Sequence, residues 1–171
     1  VDNDAARPGI SVGQRASLTR TISDSDVAQF AALTGDSNPL HVDDAFAAQS
    51  RFGRRVAHGL LSAGLISALL GTKLPGPGAI YLQQTLRFVR PVYPGDTVTA
   101  TVEVVACGAG RRTATLRTTC ANAAGHIVLE GEAIVLLDPP AQRCTALHRN
   151  EYLNSERPCV IPTQEAPRPF S

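Results

Sequence analysis

His58-Gly59-Leu60-Leu61-Ser62-Ala63-Gly64-Leu65-Ile66-Ser67-Ala68-Leu69-Leu70 carries no Asp, Glu, Lys or Arg. Its apolar residues are not confined to one side, so it reads as a helix that is polar on no face and ends at Gly71. Such a helix has to be surrounded by protein rather than laid on a surface. Leu74-Pro75-Gly76-Pro77-Gly78 breaks the chain directly after it, and everything beyond that break is strand-like.

Four strands are predicted there: Ile80 to Val89, Thr97 to Cys107, Thr113 to Asn122 and Ile127 to Leu137. Short turn signals divide them, Pro91 to Asp96, Gly108 to Gly110 and Ala123-Ala124-Gly125, and short connections favour antiparallel neighbours. A buried helix needs a sheet curved around it. The predicted fold is therefore α+β, one long central helix wrapped by a curved antiparallel sheet, which is the hot-dog arrangement.

Upstream of the helix, Arg15 to Ile22 alternates weakly and resembles an edge strand. Ser23-Asp24-Ser25-Asp26 supplies an N-cap and first-turn acids for a helix whose apolar face is Val27, Phe30, Ala31 and Leu33. Gly35 stops it, with Pro39 just beyond. A short helix from Asp43 to Gln49 leads into a basic link, Arg51 to Arg55. The expected organisation is an extension over 1–11, one domain over 12–138 and a Pro-rich tail over 139–171, in which Pro139, Pro140, Pro158, Pro162, Pro167 and Pro169 interrupt a stretch without period.

The 171 residues are 43% hydrophobic and 18% charged, enough apolar content for one core. A formal charge of +1 encodes no field-scale attraction to nucleic acid or an anionic membrane. The longest apolar runs are too short or too interrupted to span a bilayer. Val1-Asp2-Asn3-Asp4 has neither a secretory nor a transit-peptide pattern, although a leader removed ahead of Val1 stays open. Cys107, Cys120, Cys144 and Cys159 form no CxxC pair. The two central ones read as small hydrophobes in a reducing compartment, with a disulfide between the tail cysteines as the alternative. The expected location is the cytoplasm, with the mitochondrial matrix as the other candidate.

The chemistry concentrates in Thr34-Gly35-Asp36-Ser37-Asn38-Pro39-Leu40-His41. A helix would put Asp36 and His41 about 140° apart. Pro39 is expected to forbid that helix and to bias Asn38 to an extended conformation, so that the chain bends and aims carboxylate and imidazole at one point. The residues also allow a plainer reading, in which Asp36 and Asn38 make Asx-turns and His41 satisfies a backbone group.

Leu33-Thr34-Gly35-Asp36-Ser37-Asn38-Pro39-Leu40-His41, followed by Asp43, Phe46 and Ala47 and then Ala57-His58-Gly59, resembles the signature of the MaoC-like (R)-specific enoyl-CoA hydratases and 3-hydroxyacyl-thioester dehydratases. The resemblance continues through Leu65 to Gly78, Arg87-Phe88 and Pro94-Gly95-Asp96, and covers roughly Val12 to Leu137. It implies reversible addition of water across the double bond of a 2-enoyl thioester to give the (R)-3-hydroxyacyl thioester. It also implies that Asp36 and His41 hold the reacting water as acid and base, that the Gly59 N–H at the helix start stabilises the thioester oxyanion, and that Ser67 lies by the acyl chain. Asn38 is expected to tie the loop together and His58 to fix the start of the helix.

Neither cofactor nor metal is expected, because Asp36, His41 and His58 fit no usual zinc spacing and no Gly-rich phosphate loop opens a helix. The expected partner is a CoA or carrier-protein thioester whose phosphates meet cations such as Arg51, Arg54, Arg55, Lys73, Arg87 or Arg90. Neither nucleic acid nor a membrane is expected as a partner, and edge-strand pairing predicts a homodimer. Competing readings are a carrier-protein-linked dehydratase, a hot-dog thioesterase and a thioester-binding subunit without activity of its own.

Overall fold

The computed structural model describes residues 9–108, 112–137 and 144–145. β1 (Ile10–Ser11) and β2 (Arg15–Thr21) are followed by α1 (Asp24–Thr34), α2 (Pro39–Val42), α3 (Asp44–Ala48) and α4 (Gly59–Thr72). β3 (Ala79–Phe88), β4 (Thr97–Cys107), β5 (Thr113–Asn122) and β6 (Ile127–Leu137) come next, and β7 (Cys144–Thr145) pairs in parallel with β1. The main sheet is antiparallel, in the order β2-β4-β5-β6-β3.

Strict alternation makes this sheet one-sided. In β4 the fully buried residues are Val98, Ala100, Val102 and Val104, and in β5 Ala114, Leu116, Thr118 and Cys120. The threonines and charged residues between them face outward, as a period of two requires. Register shifts between Tyr81 and Gln83, Val104 and Ala106, and Cys120 and Ala121 interrupt the ladders. Such bulges increase local twist and bend a sheet, and this one touches α4 with all five strands. The hot-dog arrangement expected from the sequence is the arrangement found.

α4 buries Ser62, Leu65, Ile66, Leu69 and Leu70, which is the i, i+3, i+4, i+7, i+8 stripe of a helix seated on one surface. Burying a side chain such as Ile66 or Leu69 contributes roughly 1.5–3 kcal/mol. The expectation of a helix enclosed all round is corrected on its other side, where Leu60, Gly64, Ser67, Ala68 and Gly71 are exposed. Most of these side chains are small, so little apolar area is left in water.

α1 begins at a capping box, Ser23 Oγ accepting from the Asp26 N–H and Asp26 accepting from the Ser23 N–H. Ser23 thereby holds the Asp26 carboxyl below its ordinary pKa, with the Arg20 guanidinium adding to the effect. The helix ends at Gly35, whose φ of 78° is the left-handed conformation glycine adopts without strain. Its predicted apolar face is corrected as well. Only Val27 is buried, and Leu33 stands 85% exposed over a groove between α1, α4 and β2. α1 contacts α2 and sets Phe30 against the His58 ring, so only part of its apolar side finds a surface.

Cys120 is buried and free, and burial pushes its thiol up to about 12. The reading of Cys107 as a second reduced hydrophobe is wrong, because Cys107 is disulfide-bonded. It stands half-buried at the last position of β4, outside the packed centre of the sheet, where a sulfur can meet another segment. Apart from Cys144–Thr145, the Pro-rich tail lies outside the described residues.

Candidate active site

The turn between α1 and α2 is built from its own side chains. Asp36 Oδ1 accepts the Asn38 N–H at 3.3 Å, and Asn38 Oδ1 accepts the Leu40 N–H at 3.1 Å. Asn38 is thus the N-cap of α2, with Pro39 in its first turn. No helix runs from Asp36 to His41, as expected, and Asn38 is extended at φ −52° and ψ 126°. Pro39 instead opens a new helix, since the first position has no use for the N–H that proline lacks. Asp36 lies before the cap and His41 within the helix, so the 100°-per-residue reckoning never applies between them.

Both readings of these residues hold together, because each side chain has two ends. Asp36 spends Oδ1 on the turn and leaves Oδ2 without a hydrogen bond among the described residues. His41 spends Nδ1 on the Val56 carbonyl, 2.7 Å away. A carbonyl only accepts, so Nδ1 carries the proton and Nε2 of the neutral ring presents a lone pair. A carboxylate oxygen and a basic nitrogen therefore remain available for chemistry.

α4 supplies the opposite wall. His58 occupies its N-cap position but makes no side-chain cap, and the Gly59 and Leu60 N–H groups have no partner among the described residues. Unpaired N–H groups at the positive end of a helix dipole are suited to a developing oxyanion. Gly59 also makes room for a ring, since a Cβ there would lie 2.5 Å from Phe88 Cε1 and push that side chain aside. Gly59, Asp36 and His41 line one cavity of about 430 Å³, together with Phe30, Ser62 and Val92.

The other predicted residues divide. Asn38 shapes the loop from outside the cavity lining. Ser67 is exposed on α4 and does not line the cavity. Ser62, buried and one turn past Gly59, does line it. Spacing could have found Ser62, because residues three apart share a helix face.

His58 stands buried at the start of α4 without capping it. Its ring donates from Nε2 to the Asp36 carbonyl at 2.9 Å and lies 3.9 Å from the His41 ring, centre to centre. Spacing did not suggest the resulting cluster, in which one ligand-type atom from each of Asp36, His41 and His58 lies within 4.8 Å of the others. His58 Nε2 and Asp36 Oδ2 are 4.0 Å apart, wider than two ligands about 2 Å from one tetrahedral zinc can stand.

The cations also sort themselves. Arg55 bridges Asp24 and Asp44, Arg87 pairs with Glu130, and Lys73 donates to the Ser17 carbonyl. Arg54 lies over the Tyr93 ring. Arg51 and Arg90 line the cavity, and neither has an ion-pair partner among the described residues.

The family model described as MaoC like domain matches residues 5–124. An (R)-specific enoyl-CoA hydratase of Rhodospirillum rubrum is 55% identical over 128 residues, covering 75% of this chain and 88% of that protein. A 3-hydroxybutyryl-CoA dehydratase of Methylorubrum extorquens is 50% identical over 140 residues, covering 78% and 88%. Among solved structures, the (R)-hydratase from A. caviae involved in PHA biosynthesis superposes with a TM-score of 0.72 at 50% identity, covering 74% of this chain and 96% of its own.

Proposed function

This chain belongs to the MaoC-like domain family, and on that premise we propose that it is an (R)-specific hydro-lyase interconverting trans-2-enoyl-CoA and (R)-3-hydroxyacyl-CoA. The observation that carries the proposal is the convergence, at one cavity, of the unengaged Asp36 Oδ2, the basic His41 Nε2 and the unpaired N–H groups that open α4.

In the hydration direction a water stands between Asp36 and His41. His41 Nε2 accepts a proton as the water oxygen bonds to C3, and the electron pair of the double bond moves into the thioester. The charge that gathers on the thioester oxygen is met by the Gly59 N–H, a donor already in place before the reaction. His41 passes the water's proton to the Asp36 carboxylate, which delivers it to C2, so both side chains end as they began and the balance is one water added. Dehydration is the same path reversed.

Several observations support CoA as the carrier. The relatives at 55% and 50% identity are named for CoA substrates, whereas a mitochondrial acyl-carrier-protein dehydratase of Solanum lycopersicum is 35% identical. Arg51 and Arg90 put positive charge at the cavity for a polyanionic carrier. A cytoplasmic location belongs to the same proposal and is supported by the bacterial origin of those relatives. The disulfide at Cys107 runs against it. Among the described residues no helix is long and apolar enough to cross a membrane.

The test is the purified chain with crotonyl-CoA, followed by loss of the enoyl-thioester ultraviolet absorbance and chiral analysis of the product. (R)-3-hydroxybutyryl-CoA is expected. The (S)-alcohol, or release of free CoA thiol without hydration, would overturn the assignment.

The proposed assembly is a homodimer. β3 is an edge of the main sheet, and it leaves Ile80, Leu82 and Phe88 substantially exposed. An open edge with apolar side chains is a template for another strand. Sedimentation at micromolar concentration should give a two-chain species, and a monomer throughout that range would sink the dimer.

A further inference from the structure

His58 is 2% exposed, and its Nδ1 is the buried side-chain polar atom that has no hydrogen-bond partner among the described residues. An unmet buried acceptor carries a cost that an aromatic hydrocarbon ring would avoid. If the position needed only bulk between α1 and α4, phenylalanine would fill it better. The imidazole therefore has to be explained by its other edge and by its face.

That edge is Nε2, which donates to the backbone carbonyl of Asp36 at 2.9 Å. This fixes the main chain of the residue whose carboxylate must meet the water. The face lies 3.9 Å from the His41 ring at a tilt of 35°, while Phe30 backs His58 at 4.8 Å. His41 has one further restraint, the bond from Nδ1 to Val56, which holds one edge and leaves the ring free to swing about it. The packed face of His58 removes that freedom. A single buried ring thus bears on both members of the acid–base pair.

We propose that His58 is a positioning residue for the hydration: its Nε2–H clamps the Asp36 carbonyl and its ring face sets the plane of His41, so that Asp36 Oδ2 and His41 Nε2 converge on one water. The proposal rests on the reading of Asp36 and His41 as acid and base, and it adds a residue of the same cavity wall that acts through them. Rate is sensitive to such placement, since a displacement of about 1 Å in a reacting group can cost on the order of 10²-fold.

Two variants separate the edge from the face. His58→Phe keeps an aromatic face and removes the donor, whereas His58→Gln keeps an N–H donor of similar reach and removes the ring. With crotonyl-CoA, His58→Phe should lower kcat by about 10- to 100-fold with KM within about twofold of wild type, and His58→Gln should recover part of that loss. Thermal unfolding run alongside identifies a variant that is merely misfolded.

The second readout does not depend on turnover. The chain has four histidines, so long-range nitrogen–proton NMR of ¹⁵N-histidine-labelled protein can be assigned by single substitutions. Wild type should show His41 protonated at Nδ1 and His58 at Nε2, and in His58→Gln, which removes the ring packed on His41, the His41 signals should spread over both tautomers. A His58→Phe protein with wild-type kcat overturns the proposal, as does a His58→Gln protein that keeps a single Nδ1–H tautomer at His41 or is no better than His58→Phe in kcat. A wild type inactive on every enoyl thioester would defeat the acid–base reading, while the tautomer measurement would still decide the role of His58.

Discussion

Asp36→Asn and His41→Ala should each lower kcat for crotonyl-CoA hydration by about 10²- to 10⁴-fold, the range expected when a positioned acid or base is removed. The two substitutions differ in what they leave behind. Asparagine at 36 keeps an oxygen to accept the Asn38 N–H, so the turn survives and the loss isolates the carboxylate. Alanine at 41 removes the basic nitrogen together with the bond to the Val56 carbonyl. It should cost some thermal stability as well as rate. The side chain of Asp36 is 52% exposed, so Asp36→Asn should unfold within a few degrees of wild type, a small shift for a surface change. An Asp36→Asn enzyme within about threefold of wild type would remove Asp36 from the chemistry. A double variant no slower than the worse single one would show that the two act as a unit.

Much of the sheet was legible because alternation is a local signal. The strands expected at Thr97 to Cys107, Thr113 to Asn122 and Ile127 to Leu137 are β4, β5 and β6 with the same ends. Each is bounded by a turn whose residues mark it, such as Gly125 with its φ of 79°. The order of the strands was not legible. Alternation says which residues share a face but not which strand lies alongside, and β2 beside β4 or β3 beside β6 is settled by how the chain folds over α4. The apolar stripe of α4 was diluted by Leu60 and Leu61, which made a helix seated on one surface look like one enclosed on all sides.

At the site, the sequence named the atoms but not their commitments. Asp36 and His41 could be singled out from their types and their turn, yet whether such a residue shapes a loop or performs chemistry depends on which end of its side chain is engaged. That depends on Val56, fifteen residues from His41. His58 could be placed at the start of the helix, but not its partner, because only the approach of the loop 22 residues earlier in the chain gives its Nε2 the Asp36 carbonyl as acceptor.

Gly59→Ala tests the oxyanion role, and the expected loss is about 10²- to 10³-fold in kcat, the usual cost of losing one such donor. Gly59 does not occupy the left-handed region, so alanine there brings no backbone strain and the effect is one of space. The new Cβ would lie 2.5 Å from Phe88 Cε1 and 2.8 Å from Cδ1. Phe88 is more than half exposed at the end of β3, so its ring can swing aside and the protein should fold. The difficulty is that Gly59 and Phe88 line the same cavity, where the thioester oxygen has to approach the N–H. Two causes of inactivity are therefore possible, a displaced ring or a blocked donor, and Gly59→Ala combined with Phe88→Ala distinguishes them. If the double variant stays impaired while Phe88→Ala alone is active, the open approach to the Gly59 N–H is what the reaction needs. If the double variant recovers wild-type kcat, Gly59 serves only to admit the Phe88 ring, and the oxyanion must be met by another donor, for which the Leu60 N–H on the same helix turn is the one in place.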